Sequence, residues 1–398
     1  MGRHGDYMEK IAFILQDLTG GGAERTVANL SFELSNNYDF YIIVYNGKNV
    51  SYPHKAKIID LKLPPKRTKI GKLFNIFKRV KAVKKIKKQY KFDYTISFMF
   101  GANIVNVLSK QKEKIITSAR NYMSIYGLSY YKKCKERFAD KRADKVVAIS
   151  KMVKYDLINN FNIPDEKIVT IYNPCDIDRI KIAAGENTTF VFEKNKFYFI
   201  NIGRLVNQKG QWNLLKSFSI LSNKFKNVEL IILGTGPLEN DLKKLTKELK
   251  IDTKVHFLGF VDNPFAYLAK SNVFVLSSLH EGLGNVILEA LACELPIIST
   301  DCFAGPREIL APDSDISEKT SELLYADYGV LVPEFSSSFE INSYIDSNQY
   351  KMAEAMEQLY TNKTMYLKYK KNSIKRIKDF DPKKIANDWV DLLKELRK

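Results

Sequence analysis

Two glutamates flank a run of small and apolar residues in the second half of the chain. The stretch SSLHEGLGNVILEALACELP (277–296) holds Glu281 and Glu289, with seven residues between them. The run VILEALA is apolar nearly all round, which predicts a buried helix that begins near Asn285, a suitable capping residue. A buried carboxylate is costly unless it is hydrogen-bonded or paired. Because carboxylate oxygens accept hydrogen bonds from neutral hydroxyls, the pair favours a polyol ligand.

Two cations follow another strand-like run upstream of this pair. The segment GRLVNQKG (203–210) places Arg204 and Lys209 after the apolar run FYFINI. Arginine offers a planar fork and lysine a point charge, a combination suited to a diphosphate. Gly282 and Gly284 allow a phosphate to approach the backbone N–H groups at the start of the expected helix. Together these residue types describe the binding of a nucleotide sugar.

The elements that must position these residues alternate along the whole chain. Strand-like apolar runs alternate with helical patterns from KIAFILQDL (10–18) to IVTIY (168–172), and again from FYFINIGR (197–204) to PIIST (296–300). Such alternation predicts parallel α/β sheets. A chain of 398 residues exceeds the size of one core, so two doubly wound domains in tandem are expected. We expect a first domain over 1–185, a second over 186–378 and a C-terminal helix over 379–398.

Glycine turns follow several of the predicted strands. In open parallel sheets ligands bind outside the carboxyl ends of the strands, where these turns fall. If the two domains face one another, the turns line the cleft between them. The turns lie at residues 20–22, 203, 234–236 and 282–284.

The composition is basic, with 63 Lys and Arg against 45 Asp and Glu, and a formal charge of +18. No acidic residue lies between Asp60 and Asp93, where a helical apolar stripe ends near Val80 and the next apolar residues lie on another face. This pattern predicts two short basic amphipathic segments, and a second aromatic and basic stretch follows at 122–137. An anionic membrane face is one interpretation and a merely solvated lysine-rich surface is the other. The first stripe comprises Ile70, Leu73, Phe74, Phe77 and Val80, and the later residues are Val83, Ile86 and Tyr90.

The remaining composition predicts a reduced, cytoplasmic protein. No apolar run approaches the roughly 20 residues needed to cross a bilayer, and no apolar leader is visible at the N-terminus. The four cysteines have no spacing typical of a metal site or a disulfide framework. The acidic pairs Asp176–Asp178 and Asp313–Asp315 fall in connecting segments away from the cations, so no metal is predicted there.

The motifs in their order resemble the retaining glycosyltransferases of family 4, and the resemblance covers nearly the whole chain. It implies the GT-B fold, with two Rossmann-like domains facing across a cleft and a C-terminal helix that crosses back. It implies a metal-independent hexosyltransferase that needs no cofactor. Such an enzyme transfers a hexose or N-acetylhexosamine from a UDP-sugar to a lipid-linked or other glycan acceptor during the synthesis of a bacterial capsule or O-antigen. The matching segments are GGAER (21–25), GRLVNQKG (203–210), LGTGP (233–237), LGFVDN (258–263) and EGLGNVILEALACELPII (281–298).

The resemblance also implies roles for individual residues. Glu289 matches the position that accepts from the ribose hydroxyls, and Glu281 the one that holds the donor sugar near its reacting carbon. Arg204 and Lys209 match the cations that stabilise the leaving diphosphate. Backbone groups expected near the phosphates, sugar and base are those of Gly22, Gly282, Gly284, Asn285, Val286, Phe260 and Val261.

The acceptor side is less completely matched. Arg120 in SARN is expected at the cleft as an acceptor-side and catalytic group, with Asn103 in SFMFGAN nearby. Many relatives carry a histidine in this region, and neither stretch contains one here. The group that aids the acceptor is therefore unassigned.

Two other functions are compatible with parts of the sequence. A nucleotide-sugar epimerase or a phosphorylase could use the same fold and donor residues. A nucleic-acid-binding protein could use the basic stretch for phosphate contacts, although no zinc-finger or RNA-recognition signature is present. The second reading leaves the carboxylates and cations of the second domain unexplained.

Overall fold

The structure is a computed structural model that describes residues 8–19, 21–48, 50, 52–66, 68–124, 130–338 and 344–397. The chain divides into two compact units. Unit 1 comprises residues 1–174 and 382–398, and unit 2 comprises residues 175–381. The first segment of unit 1 ends at residue 174, whereas the sequence analysis ended the first domain at residue 185. The difference arises because helix α6 (Ile177–Ala184) packs on two helices of unit 2.

In its described part, unit 1 contains a parallel sheet of seven strands in the order β3-β2-β1-β4-β5-β6-β7. The predicted strands are confirmed, whereas β3 was missed because its residues are exposed or half-buried at the sheet edge and give no apolar run. The strands are β1 (Lys10–Leu15), β2 (Asp39–Val44), β3 (Lys57–Asp60), β4 (Tyr94–Phe98), β5 (Lys114–Ala119), β6 (Lys145–Ala148) and β7 (Ile168–Thr170).

Helices cover this sheet and complete its core. Phe13 on β1 contacts the rings of Phe40, Phe98 and Trp389, with centroid distances of 4.8, 5.4 and 5.7 Å. Trp389 belongs to the last helix of the chain, so the C-terminus contributes to the core of unit 1. The helices are α1 (Gly22–Leu34), α2 (Lys69–Tyr90), α3 (Phe100–Leu108), α4 (Tyr130–Arg142), α5 (Lys151–Phe161) and α14 (Pro382–Arg397).

Unit 2 also contains a seven-stranded sheet within the described residues, in the order β10-β9-β8-β11-β12-β14-β13. The strands are parallel except for β13, which pairs antiparallel with β14 at the edge. The apolar runs of β8, β9 and β11 are buried on both faces, as expected for the centre of a parallel sheet. The strands are β8 (Phe197–Ile202), β9 (Val228–Leu233), β10 (Val255–Gly259), β11 (Val273–Leu276), β12 (Ile297–Thr300), β13 (Leu324–Tyr325) and β14 (Val330–Val332).

Several helices of unit 2 contribute to the core cluster that contains the fully buried Trp212 and Phe218. The strand order places the ends of β10, β9, β8 and β11 side by side, which positions the candidate site. The helices are α6, α7 (Gln211–Lys224), α8 (Glu239–Glu248), α9 (Pro264–Lys270), α10 (Asn285–Ala292), α11 (Pro306–Leu310), α12 (Ser347–Thr361) and α13 (Lys363–Ile377). Those that contribute to the core cluster are α7, α8, α12 and α13.

The lysine-rich region forms one continuous helix, α2, and the prediction of two short segments is wrong. Thr68 caps the helix by accepting from the N–H of Gly71. Val83 packs into unit 1, and this contact holds the second half of the helix against the sheet. Among the described residues, none of the helices combines the length and the apolar character that crossing a bilayer requires.

Candidate functional site

The turns after β8 and β9 touch through their backbones. A Cβ on Gly234 would lie 2.1 Å from the carbonyl oxygen of Gly203, and one on Gly236 would lie 2.3 Å from that of Leu205. Gly234 also has a φ of 128°, which other residues rarely adopt. The two glycines therefore let the loop that carries Arg204 lie directly against the loop after β9.

The loop after β8 also contacts the loop after β11, and this contact joins the predicted cation to the predicted carboxylate. A Cβ on Gly210 would lie 2.3 Å from the carbonyl oxygen of Ser277. Lys209 Nζ lies 2.6 Å from Glu281 Oε1, and their side chains are only 16% and 9% exposed. The Ser278 hydroxyl donates to the same oxygen at 2.6 Å. Glu281 is thus a largely buried carboxylate with a cation and a hydroxyl as partners.

Helix α10 begins immediately after this carboxylate. Its N-cap is Gly284, in a left-handed conformation with a φ of 87°, so the expectation that Asn285 caps the helix is wrong. Asn285 is instead the first helical residue, because the glycine can take the backbone conformation that the turn requires. The N–H groups of the first turn and the helix dipole favour an anion at this end.

Glu289 lies further along α10, and the helix is buried as the sequence predicted. Its side chain is 9% exposed. Burial and the charges of Glu289 and Glu294 raise the pKa of the Cys293 thiol to about 12. Glu289 therefore lies in a poorly hydrated environment in which its charge acts strongly on its neighbours.

The expected base-contacting residues follow β10. The N–H of Gly234 donates to the carbonyl oxygen of Gly259 at 2.7 Å, which brings the end of β10 against the same turns. Phe260 is 76% exposed, and Val261 is half-buried. A large exposed apolar side chain beside these turns offers a surface for a ligand.

Three residues that the sequence analysis did not assign contribute to this arrangement. Ser278 donates to Glu281, and Gln208 Nε2 donates to the carbonyl oxygen of His280 at 3.0 Å. Burial lowers the pKa of His280, with Glu281 opposing and Lys209 reinforcing the effect. Each of these residues lies within three positions of a predicted site residue. This proximity in the sequence was the only feature that could have indicated their involvement.

Unit 1 holds a smaller polar cluster around Arg120, where β5 ends. Its Nη2 donates to Asn173 Oδ1 and lies 3.2 Å from Thr26 Oγ1, and its guanidinium carbon lies 5.0 Å from the centre of the Phe98 ring. Burial lowers the pKa of Arg120, and the charge of Glu24 opposes this.

Gly22 is the first residue of α1 and accepts from the Thr26 hydroxyl at 2.8 Å. The start of α1 therefore belongs to the Arg120 cluster. Thr26 and Asn173 were not selected from the sequence, because Arg120 is 94 residues from Thr26 and 53 residues from Asn173 along the chain.

Asn103 does not fit the acceptor-side role expected for it. It lies on α3 with 0% exposure, and its Oδ1 accepts from the Ser97 hydroxyl at 2.9 Å. Its amide nitrogen lies 3.4 Å from Glu136 Oε1, in a buried polar layer between α3, α4 and the sheet. A side chain held in this way is not available to a ligand.

One member of each acidic pair considered for metal has a local structural role. Asp176 caps α6 by accepting from the N–H of Arg179, and Asp315 accepts from the N–H and hydroxyl of Ser317. No group of three or more His, Cys, Asp or Glu side chains suited to a metal ion occurs in the described ranges.

Comparison with known proteins shows the family to which the chain belongs. The family model for group 1 glycosyl transferases matches residues 187–322, and the model for Glycosyltransferase Family 4 matches residues 20–179. An uncharacterized glycosyltransferase of Methanocaldococcus jannaschii is 36% identical over 346 residues, which cover 80% of this chain and 84% of the relative. The chain belongs to the glycosyltransferases. It is an enzyme of glycan biosynthesis with the GT-B fold.

Two further similarities extend over nearly the full length. The N-acetylgalactosamine-N,N'-diacetylbacillosaminyl-diphospho-undecaprenol 4-alpha-N-acetylgalactosaminyltransferase of Campylobacter jejuni is 28% identical, covering 97% of this chain and 100% of the relative. The crystal structure of Anabaena HepE in complex with UDP matches with a TM-score of 0.72 at 17% identity, covering 97% of this chain and 100% of that chain. The structural match supports the fold.

Proposed function

We propose that this glycosyltransferase moves a hexose or N-acetylhexosamine from a UDP-sugar to a lipid-linked glycan during the synthesis of a surface polysaccharide, with retention of anomeric configuration. The observation that carries the proposal is the Lys209–Glu281 ion pair, which joins the loop after β8 to the loop that leads into α10. A sugar diphosphate matches this arrangement, because it presents hydroxyls to a carboxylate and phosphates to a cation and N–H groups.

The diphosphate is the leaving group of the proposed reaction. The bond between the anomeric carbon and the phosphate oxygen breaks, and a bond from the acceptor oxygen forms on the same face of the sugar. The acceptor proton passes to an oxygen of the departing diphosphate. Arg204 and Lys209 stabilise the charge that develops there without a metal ion, a type of interaction worth about 3 kcal/mol for one donor.

The other donor contacts follow from the positions around this pair. Glu281 accepts from the sugar hydroxyls while Lys209 and Ser278 hold its carboxylate in place. Glu289 accepts from the ribose hydroxyls. Phe260 and Val261 contact the base, and the backbone groups of Gly282, Gly284, Asn285 and Val286 contact phosphates and sugar.

The acceptor is proposed to bind at Arg120 of unit 1. Thr26 and Asn173 orient the guanidinium, which suits a carboxylate, a phosphate or sugar hydroxyls. The acceptor named for the Campylobacter relative is linked to diphospho-undecaprenol, which supports a lipid-linked diphosphate. UDP bound to Anabaena HepE supports the choice of uridine.

A panel of nucleotide sugars tests the reaction. Release of nucleotide is measured for each sugar with and without a membrane extract, and the anomeric configuration of the product is determined by NMR. We expect UDP release that depends on the extract. Epimerised donor in the absence of acceptor would instead indicate an epimerase. A sugar phosphate as product would indicate a phosphorylase.

Binding of UDP tests the site separately from the reaction. Calorimetry should show at least tenfold weaker UDP binding for Lys209→Ala and for Glu289→Ala, because each removes a polar contact from a poorly hydrated site. Lys224→Ala is the matched control, since it breaks an exposed ion pair with Glu357 on another part of unit 2. Unchanged affinity in both site variants would contradict the proposed donor site.

A further inference from the structure

The first half of helix α2 exposes its apolar side chains. Ile70, Leu73, Phe74 and Phe77 are 73%, 52%, 64% and 65% exposed. Their spacing of three and four residues places them on one face of the helix. In a helix that packs on a soluble domain such a stripe faces the core, so this half of α2 has the opposite arrangement.

Polar anchors on the inward side hold the helix in this orientation. Asn75 and Arg79 are 5% and 9% exposed. The Asn75 amide donates to the carbonyl oxygen of Pro64 at 2.9 Å, and Arg79 donates through Nε and Nη2 to that of Leu63 at 3.1 and 2.7 Å. The guanidinium also lies 4.1 Å from the centre of the Tyr45 ring. Turning the apolar stripe inward would break these contacts.

A buried ion pair anchors the second half of α2. Lys87 Nζ lies 2.8 Å from Glu113 Oε1, with side-chain exposures of 1% and 2%. The ammonium also donates to the carbonyl oxygen and the side chain of Asn106 at 2.9 and 2.7 Å. Separating a buried pair of this kind is strongly unfavourable. The outward face of α2 is therefore a fixed surface of unit 1.

Lysines continue the outward face beyond the apolar stripe. Lys81, Lys84, Lys85 and Lys88 follow Phe77 at helical spacing and are exposed. Lys78 flanks the stripe and is also exposed. The outward face thus consists of an apolar end followed by a basic segment, with no acidic residue from residue 61 to residue 92.

We propose that the outward face of α2, from Ile70 to Lys88, docks on an anionic lipid bilayer, with the apolar end inserted among the acyl chains and the lysines against the headgroups. Each basic residue near such a surface adds electrostatic attraction to the anionic headgroups, and the apolar side chains add the free energy of their burial. This arrangement is typical of helices that lie in the membrane interface.

Charge favours the bilayer over the other occupants of such a surface. A symmetric contact with a second copy would bring the same lysines face to face, where like charges repel. Nucleic acid would pair with the lysines and leave the four apolar side chains in water. An anionic bilayer complements both parts of the face.

Vesicle flotation tests the proposal, and because it requires no donor its result is independent of the proposed reaction. The full chain should float with vesicles of phosphatidylglycerol and phosphatidylcholine at 0.1 M salt, and less than a tenth as much with phosphatidylcholine alone. F74S/F77S should reduce the bound fraction at least tenfold. I182S/V191S is the matched control, since it removes two equally exposed apolar side chains from unit 2 and should bind as the unaltered protein does.

A second pair of variants tests the basic segment. K81Q/K84Q/K85Q should lower binding at least tenfold, whereas K370Q/K371Q/K375Q removes the same charge from the exposed side of α13 and should have little effect. UDP affinity and thermal unfolding check that all variants are folded. Equal loss of vesicle binding in both triple variants, or no flotation of the unaltered protein, would overturn the proposal. A dimer that light scattering detects and that F74S/F77S abolishes would also overturn it. Nucleic-acid binding that requires Lys81, Lys84 and Lys85 but not Phe74 would overturn it as well.

Discussion

Lys209 and Glu281 are 72 residues apart in the chain and form an ion pair at the centre of the proposed donor site. Either charge alone would be costly at this level of burial. Paired, each holds the other in position before a ligand arrives. A sugar diphosphate then meets a carboxylate and a cation whose positions are already set, which reduces the entropy lost on binding.

At the same scale, two acidic residues in unit 1 have unusual protonation. Asp140 is fully buried and accepts from the Thr117 hydroxyl at 2.8 Å. Burial raises the pKa of Asp140 to about 7, and burial together with the charge of Asp140 raises the pKa of Glu136. Both carboxyl groups therefore hold protons in the folded chain under conditions in which they are ionised in the unfolded chain.

This protonation makes the stability of the protein depend on pH. A group with a raised pKa binds more protons in the folded state, so its stabilising contribution is complete below the unfolded value of 3.8 and is lost as the pH rises through about 7. The midpoint temperature of thermal unfolding of the unaltered protein should therefore fall by on the order of 5 °C between pH 5 and pH 8. Asp140→Asn keeps an acceptor for Thr117 and should show a smaller fall. An identical slope in the variant would refute this origin of the pH dependence.

At the scale of elements, the turns after β8 and β9 show how glycines bring strands close enough to form a site. The loop that carries Arg204 rests on Gly234 and Gly236, and no side chain fits between the two loops. The Rossmann-like sheet brings the strand ends together, and these glycines bring the loops into contact.

Gly234→Ala should therefore disturb both stability and donor binding. The added Cβ would meet the carbonyl oxygen of Gly203 at 2.1 Å, and the φ of 128° would be strained. We expect a loss of about 2 kcal/mol in the free energy of unfolding, and at least tenfold weaker UDP binding measured by calorimetry. Gly185→Ala is the control, because its nearest neighbour lies at 3.4 Å, an ordinary contact.

At the scale of the whole molecule, the chain passes from unit 1 to unit 2 and back at neighbouring points. The N–H of Cys175 donates to the carbonyl oxygen of Phe380 at 2.8 Å, so the outgoing and returning segments lie together in unit 2. Unit 2 is one continuous segment, whereas unit 1 requires α14 from the far end of the sequence. Trp389 on α14 is 1% exposed and contacts Phe13 and Phe98.

This connectivity predicts different behaviour for fragments. Residues 175–381 alone should unfold cooperatively and bind UDP within about tenfold of the full chain, because the ion pair and α10 are complete in that segment. Residues 1–174 should be poorly folded, since removal of Trp389 and its neighbours exposes a large apolar surface. Joining 1–174 to 382–398 through a short glycine and serine linker should restore cooperative unfolding, measured by circular dichroism. Folding of 1–174 without α14 would contradict this account.

Much of the fold and of the proposed donor site follows from local patterns. Apolar runs followed by glycine turns predicted the parallel strands, since burial on both faces leaves a clear signal in the sequence. Glu281, Glu289, Arg204 and Lys209 were selected as candidates because their residue types are unusual beside buried strands and helices. Strand β3 and the partners of Arg120 were missed, because edge strands and hydrogen bonds between distant segments leave no local pattern.

The sequence alone determined that residues 61–92 are basic and amphipathic, and that one carboxylate precedes a buried helix and a second lies within it. The tertiary structure decided which way those groups face. The sequence around Asn103 is the same whether its side chain contacts a ligand or Glu136. Only the packing of α3 on α4 buries this side chain. Likewise, the stripe from Ile70 to Phe77 is exposed because Arg79 and Lys87 are themselves buried and bind partners in unit 1. Orientation depends on contacts between residues distant in the chain, and these exist only once the sheet has formed.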